Sequence, residues 1–151
     1  MNRLIISFFA ALLCLVPAAF AQLETGPLVI DTGDSIHKFT VELANEPDEI
    51  RTGLMDRAEM APNAGMIFDF GQPREASMWM KNTLIPLDML FLDSDGKIIA
   101  IARNAVPGSL RTIGPGVPVK GVLELNGGRS EALGIEPGDT VKHAIFGNLG
   151  E

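Results

Sequence analysis

Short apolar runs with a period of two, cut apart by glycine, proline and aspartate, constrain this chain most. Over Ile36–Leu43, Phe39, Val41 and Leu43 share one face while Lys38, Thr40 and Glu42 take the other, which marks a half-buried strand. Leu28–Thr32 precedes it across Gly33-Asp34, a hairpin signal. Met66–Phe70 and Ser77–Lys81 alternate around a Gln72-Pro73 turn. Asp88–Leu92 and Lys97–Ala102 flank the turn Asp93-Ser94-Asp95-Gly96, the clearest hairpin of the chain. Gly121–Leu125 predicts a buried strand and Thr140–Phe146 the last one.

Helical signals are few. Asn45 suits a cap, Pro47 a first turn, and Asp48 and Glu49 the positive helix end, with Ile50 and Leu54 four apart; this predicts a short helix near 47–55. Residues 129–133 support at most one further turn. Residues 103–119 hold Pro107, Pro115 and Pro118 without periodicity and predict a long loop, with Ile113 and Val117 offering a contact surface or a lid. Together these patterns give a mainly β single domain, an antiparallel sandwich or barrel with one or two short helices.

The first 21 residues read differently. Asn2-Arg3 is a short positive segment, Leu4–Val16 is apolar, and Ala19-Phe20-Ala21 has the small-x-small pattern of a signal-peptidase site. The apolar run is shorter than the roughly 20 residues a membrane helix needs. The expectation is cleavage before Gln22 and a periplasmic or secreted domain over residues 22–151, with no stable membrane insertion afterwards. Cys14 leaves with the signal, so the mature chain has no thiol nucleophile, disulfide or thiolate ligand. Arg3 leaves too, so 12 − 1 = 11 basic residues face 19 acidic ones. Such a surface repels phosphate backbones and argues against nucleic-acid partners.

Residues 78–88, Met-Trp-Met-Lys-Asn-Thr-Leu-Ile-Pro-Leu-Asp, put the only tryptophan beside a Lys-Asn-Thr triplet and end on Pro86 and Asp88. That mixture exceeds what a core strand needs. With Arg51-Thr-Gly-Leu-Met-Asp-Arg57, Gly65-Met-Ile-Phe-Asp-Phe70, Val122-Leu-Glu-Leu-Asn126 and Gly138-Asp139, it resembles, in order, the motifs of the domain of unknown function (DUF) family 192. The resemblance spans roughly residues 37–146. It implies a β-rich fold and a family of small, often exported proteins with no established catalytic residues.

Three functions compete for these residues. Arg51, Arg57, Trp79, Lys81, Asn82, Thr83, Asp88 and Glu124 can line a non-catalytic site for a small polar or anionic ligand, with the 103–119 loop as its roof. Glu124 interrupts an apolar run, so it calls for a cation: Lys81, Arg51 or Arg57. The bland reading of the same residues is an internal ion-pair network, with Asp88 a turn cap. Asp88 and Glu124, tuned by Lys81, are alternatively an acid–base pair for a small hydrolase or lyase, although no Gly-x-Ser-x-Gly or His-Glu-x-x-His motif is present. Met78 and Met80 would bind Cu(I) if they faced away from the core with His37 nearby. No cofactor is implied, and a protein partner is the remaining possibility.

Overall fold

The computed structural model describes residues 22–150; the predicted signal segment lies outside the described residues. Seven strands form one sheet: β1 (Thr25–Asp31), β2 (Ile36–Ala44), β3 (Ala64–Glu75), β4 (Leu87–Leu92), β5 (Ile98–Ala105), β6 (Pro118–Asn126) and β7 (Thr140–Lys142). Their order is β5-β4-β6-β3-β2-β1-β7. The sheet curls until its two end strands approach: Lys97 bridges Thr140, the Ile98 N–H donates to the Asp139 carbonyl at 2.9 Å, and the Val141 N–H donates to that of Gly96 at 2.8 Å. The result is a half-barrel with a short seam. Pairings are antiparallel except β2 with β3, which run parallel. Helix α1 (Pro47–Thr52) makes that crossover.

The expected mainly β fold with little helix is what forms, with several local differences. Gly71–Gln72–Pro73 is an irregularity inside the single long strand β3, because the ladder with β6 resumes at Arg74 after breaking at Asp69. Ser77–Lys81 is no regular strand: only Met78 pairs, with Ile113. After β7 the chain turns into a 3₁₀ turn at Ala144–Phe146 rather than continuing as a strand. The N-cap of α1 is Glu46 rather than Asn45, and the Glu49 carboxylate accepts from the N–H groups of both residues. Helix α2 is a single turn, Arg129–Ala132.

The curl gives the sheet two buried faces. Inside it, Leu28, Ile30, Phe39, Val41, Ile67, Leu90, Leu123 and Leu125 form the inner core. Outside β3, β4 and β6, Met66, Phe68, Met89, Phe91 and Val122 form a second layer with Leu54 and Met80. This explains why all six residues of β4 are buried: alternation places each on one core or the other.

Candidate functional site

The outer layer is where polar groups enter apolar surroundings. Register puts Glu124 of β6 between Met66 of β3 and Met89 of β4, all on the outer face. Glu124 is 4% exposed and has no hydrogen bond or ion pair among the described residues. Burial pushes its carboxyl up to about 8, so it holds its proton at neutral pH. It borders a chamber of about 30 Å³ between α1, the turn after it and the 78–83 segment. Met55, Met78, Trp79 and Thr83 line the same chamber.

Ile50, Arg51, Met78 and Trp79 are shared by this chamber and a larger outer cleft of about 330 Å³. Phe70 and Arg74 form the far wall of the cleft. The Arg74 guanidinium stacks 4.1 Å from the Phe70 ring centroid, and Trp79 is 44% exposed. Arg51 meets only Asp48, at 2.6 Å and in an exposed position where water competes for both charges. Its guanidinium is therefore accessible at the rim. Arg74 and Phe70 escape sequence reasoning because Pro73 reads as a turn; the pairing of Arg74 with Val119 restores them to β3.

The eight residues singled out in the sequence divide into three places. Arg51, Trp79, Thr83 and Glu124 border the connected cavity. Lys81 and Asn82 do not: the Lys81 ammonium stands 5.2 Å from the Trp79 ring centroid, and Asn82 accepts from the Asp56 N–H through its carbonyl. Arg57 makes a two-pronged pair with Glu42, Nη2 to Oε2 at 2.6 Å and Nη1 to Oε1, and that hydrogen bonding raises its pKa. Asp88 lies elsewhere. Its carboxylate accepts from the N–H groups of Asn104, Gly128 and Ser130 at 2.8, 3.0 and 2.8 Å and from the Ser130 hydroxyl at 2.7 Å. Desolvation pushes its pKa up, but these donors outweigh it and hold the carboxyl below its ordinary value.

Four expectations are corrected by this geometry. No ion pair joins Glu124 to Lys81, Arg51 or Arg57, since each cation is engaged elsewhere. Asp88 and Glu124 cannot act as a pair, because Asp88 is opposite Leu125 in the ladder and so projects to the other face of the sheet. The loop between β5 and β6 does not roof the site. It runs beside residues 78–83, held by Met78–Ile113 and Met80–Ser109 backbone bonds, and none of its residues lines the cleft or the chamber. The copper geometry through Met78 and Met80 also fails as drawn: Met80 is sealed in the outer core, and His37 shares the inner face with Phe39 and Val41.

Comparison with known proteins places the fold. A protein of Sinorhizobium meliloti 1021, provisionally named a transcription regulator, is 47% identical with a TM-score of 0.81, over 82% of this chain and 97% of its own. A protein of unknown function from Novosphingobium aromaticivorans DSM 12444 is 39% identical with a TM-score of 0.79, over 83% of this chain and 89% of its own. No curated protein matches. The family model of DUF192, described as an uncharacterized ACR, matches residues 28–143, and the chain belongs to that family.

Proposed function

We propose that the outer cleft binds a small organic anion with an apolar or aromatic body, without turnover, in a protein exported through its N-terminal signal. The observation that carries this reading is the pairing of chemistry across the cleft. Two guanidinium groups, Arg51 and Arg74, stand at its rim, and Ile50, Phe70 and Trp79 supply apolar walls. Guanidinium forks suit carboxylate or phosphate oxygens, while the rings take the body of the ligand by stacking and burial. A volume of about 330 Å³ lies at the lower end of small-molecule sites. The acidic surface of the whole chain favours a small ligand over a nucleic-acid backbone.

The reading as a binding site rather than a catalytic one rests on the missing coupling between a nucleophile and a base. The Ser77 hydroxyl and Glu75 carboxylate that line the cleft share no hydrogen bond among the described residues, and Glu124 has no acidic or basic hydrogen-bond partner there. Thermal-shift screening against aromatic and aliphatic monocarboxylates tests the proposal. A ligand at about 100 times its Kd stabilises the fold by about 2.7 kcal/mol, a shift of several degrees. Arg51→Ala with Arg74→Ala should abolish that shift and leave the unliganded melting temperature nearly unchanged. A shift that survives the double substitution would place the ligand elsewhere.

A further inference from the structure

Glu124 is a buried carboxyl with nothing to bond, and the chamber it borders lies directly behind the outer cleft. The two share Ile50, Arg51, Met78 and Trp79. Glu124 is 4% exposed, and no hydrogen bond or ion pair reaches it among the described residues. Its neighbours along the ladders, Met66 and Met89, carry no charge. Around the chamber, α1 and the turn after it contribute Arg51, the one other charged lining residue. β3 contributes Phe68, and the 78–83 segment contributes Met78, Trp79 and Thr83. Asp48, which Arg51 meets, is exposed on the helix, and Lys81 lies over the Trp79 ring.

We infer that the ligand is a monocarboxylate bound with its charged end inward, one carboxylate oxygen accepting a hydrogen bond from the protonated Glu124 carboxyl while the Arg51 guanidinium holds the charge. This rests on the reading of the outer cleft as an anion site and narrows its ligand from carboxylate or phosphate to carboxylate.

The lining selects an acceptor. A guanidinium has donors only, and a protonated carboxyl offers an O–H. Donors of this kind bind an ionised oxygen more strongly than a neutral one. A cationic group is kept out by the Arg51 guanidinium on the same wall. At about 30 Å³ the chamber has room for one water-sized group, which fits a single oxygen and not the tetrahedral head of a phosphate. The apolar body of the ligand then lies outward in the cleft, between Phe70 and Trp79.

Binding in this orientation needs the Glu124 proton. Burial keeps that proton in place up to about pH 8. Above that, an ionised Glu124 would face the ligand carboxylate as a like charge, so the ligand binds only as the proton returns. Affinity should therefore be flat in the neutral range and fall about tenfold per pH unit beyond.

Trp79 is the only tryptophan of the chain and lines the cleft, so its fluorescence reports occupancy. The full chain is titrated with phenylacetate, hexanoate and phenyl phosphate from about pH 6 to 9.5, and calorimetry in buffers of different ionisation enthalpy counts protons. Both carboxylates should bind, with close to one proton taken up per ligand at pH 9, and phenyl phosphate should bind at least roughly tenfold more weakly. Glu124→Gln keeps an N–H donor, so it should bind the carboxylates about as tightly at pH 7 and lose the alkaline fall. Glu124→Leu keeps bulk without a donor and should bind at least roughly tenfold more weakly at pH 7. A purely structural Glu124 would produce neither the proton uptake nor the rescue by glutamine. Carboxylate affinity unchanged between pH 7 and 9.5, no proton uptake at pH 9, or equally tight phenyl phosphate would each overturn the inward carboxylate and leave the cleft reading standing. Failure of all three ligands to bind at any pH would overturn both.

Discussion

Met89 of β4 lies in register with Glu124 of β6, and because side chains alternate, Asp88 just before it projects to the other side of the sheet. Two carboxyls one register step apart thus meet opposite environments. Asp88 receives four hydrogen bonds and stays ionised; Glu124 receives none and keeps its proton. The difference comes from what each face offers. Beside the start of β4, the chain leaving β6 bends through Gly127, Gly128 and α2, leaving backbone N–H groups free to converge on an anion. The outer face offers thioethers and aromatic rings.

Glu124→Gln should therefore become stabilising as pH rises. Below the ordinary carboxyl value of 4.5, folded and unfolded chains both hold the Glu124 proton and burial of the group adds no pH-dependent cost. Between there and about 8 only the unfolded chain ionises, so wild type loses stability with rising pH by up to about 1.4 kcal/mol per unit. Above about 8 both states are ionised and the penalty is constant. The variant lacks this effect. Its stability relative to wild type should be lowest near pH 4 and climb by on the order of 4 kcal/mol by pH 8.5. His143, whose pKa is lowered by burial against the pull of Asp69 and Glu24, makes both proteins less stable as pH falls through the histidine range, and it cancels in the difference. Urea denaturation at a series of pH values measures the slope; a flat difference would mean that Glu124 is ionised in the folded state.

Asp88→Ala should be among the most damaging single changes. It leaves the N–H groups of Asn104, Gly128 and Ser130 and the Ser130 hydroxyl without their acceptor. Ser130 is fully buried, so water cannot simply replace the lost bonds. A loss of about 3–5 kcal/mol follows from uncovering buried donors. Because the lowered pKa means that the ionised form is the stabilising one, the Asp88 contribution should disappear as pH falls below the ordinary aspartate value of 3.8. Chemical denaturation of wild type and variant between pH 3 and 7 would show the two curves converging at the acid end.

Gly96→Ala should open the seam between the sheet's two ends. Gly96 has a φ of +83°, and a Cβ there would sit 2.2 Å from the Val141 carbonyl oxygen. The Gly96 carbonyl accepts the Val141 N–H, so the turn cannot retreat without breaking the contact between β5 and β7. The expected cost is about 2–4 kcal/mol, combining left-handed backbone strain with a displaced backbone. Amide hydrogen exchange should quicken first at Ile98 and Val141, whose N–H groups cross the seam. Uniform exchange across the whole sheet would place the damage elsewhere.

The sequence by itself determined the elements that local chemistry controls. Alternation and turn residues specified β2, the hairpin of β4 and β5, and the mainly β class, because side-chain period and turn propensity act over a few residues. Proline and acidic residues at 47–49 likewise specified α1. The apolar run Val122–Leu125 marked Glu124 as a carboxyl entering a core. Local pattern could not reveal the parallel pairing of β2 with β3, the continuation of β3 through Pro73, or the approach of Lys97 to Thr140, all of which depend on register over long separations. Only the tertiary structure decided what each charged group meets. Attraction between ions gave sequence reasoning a partner for Glu124, yet Glu42 and Asp48 lie nearer to Arg57 and Arg51, and the ring of Trp79 lies beneath Lys81. The register of three strands instead surrounds Glu124 with methionine, because strand pairing fixes neighbours by backbone geometry rather than by the charge of the side chains that result.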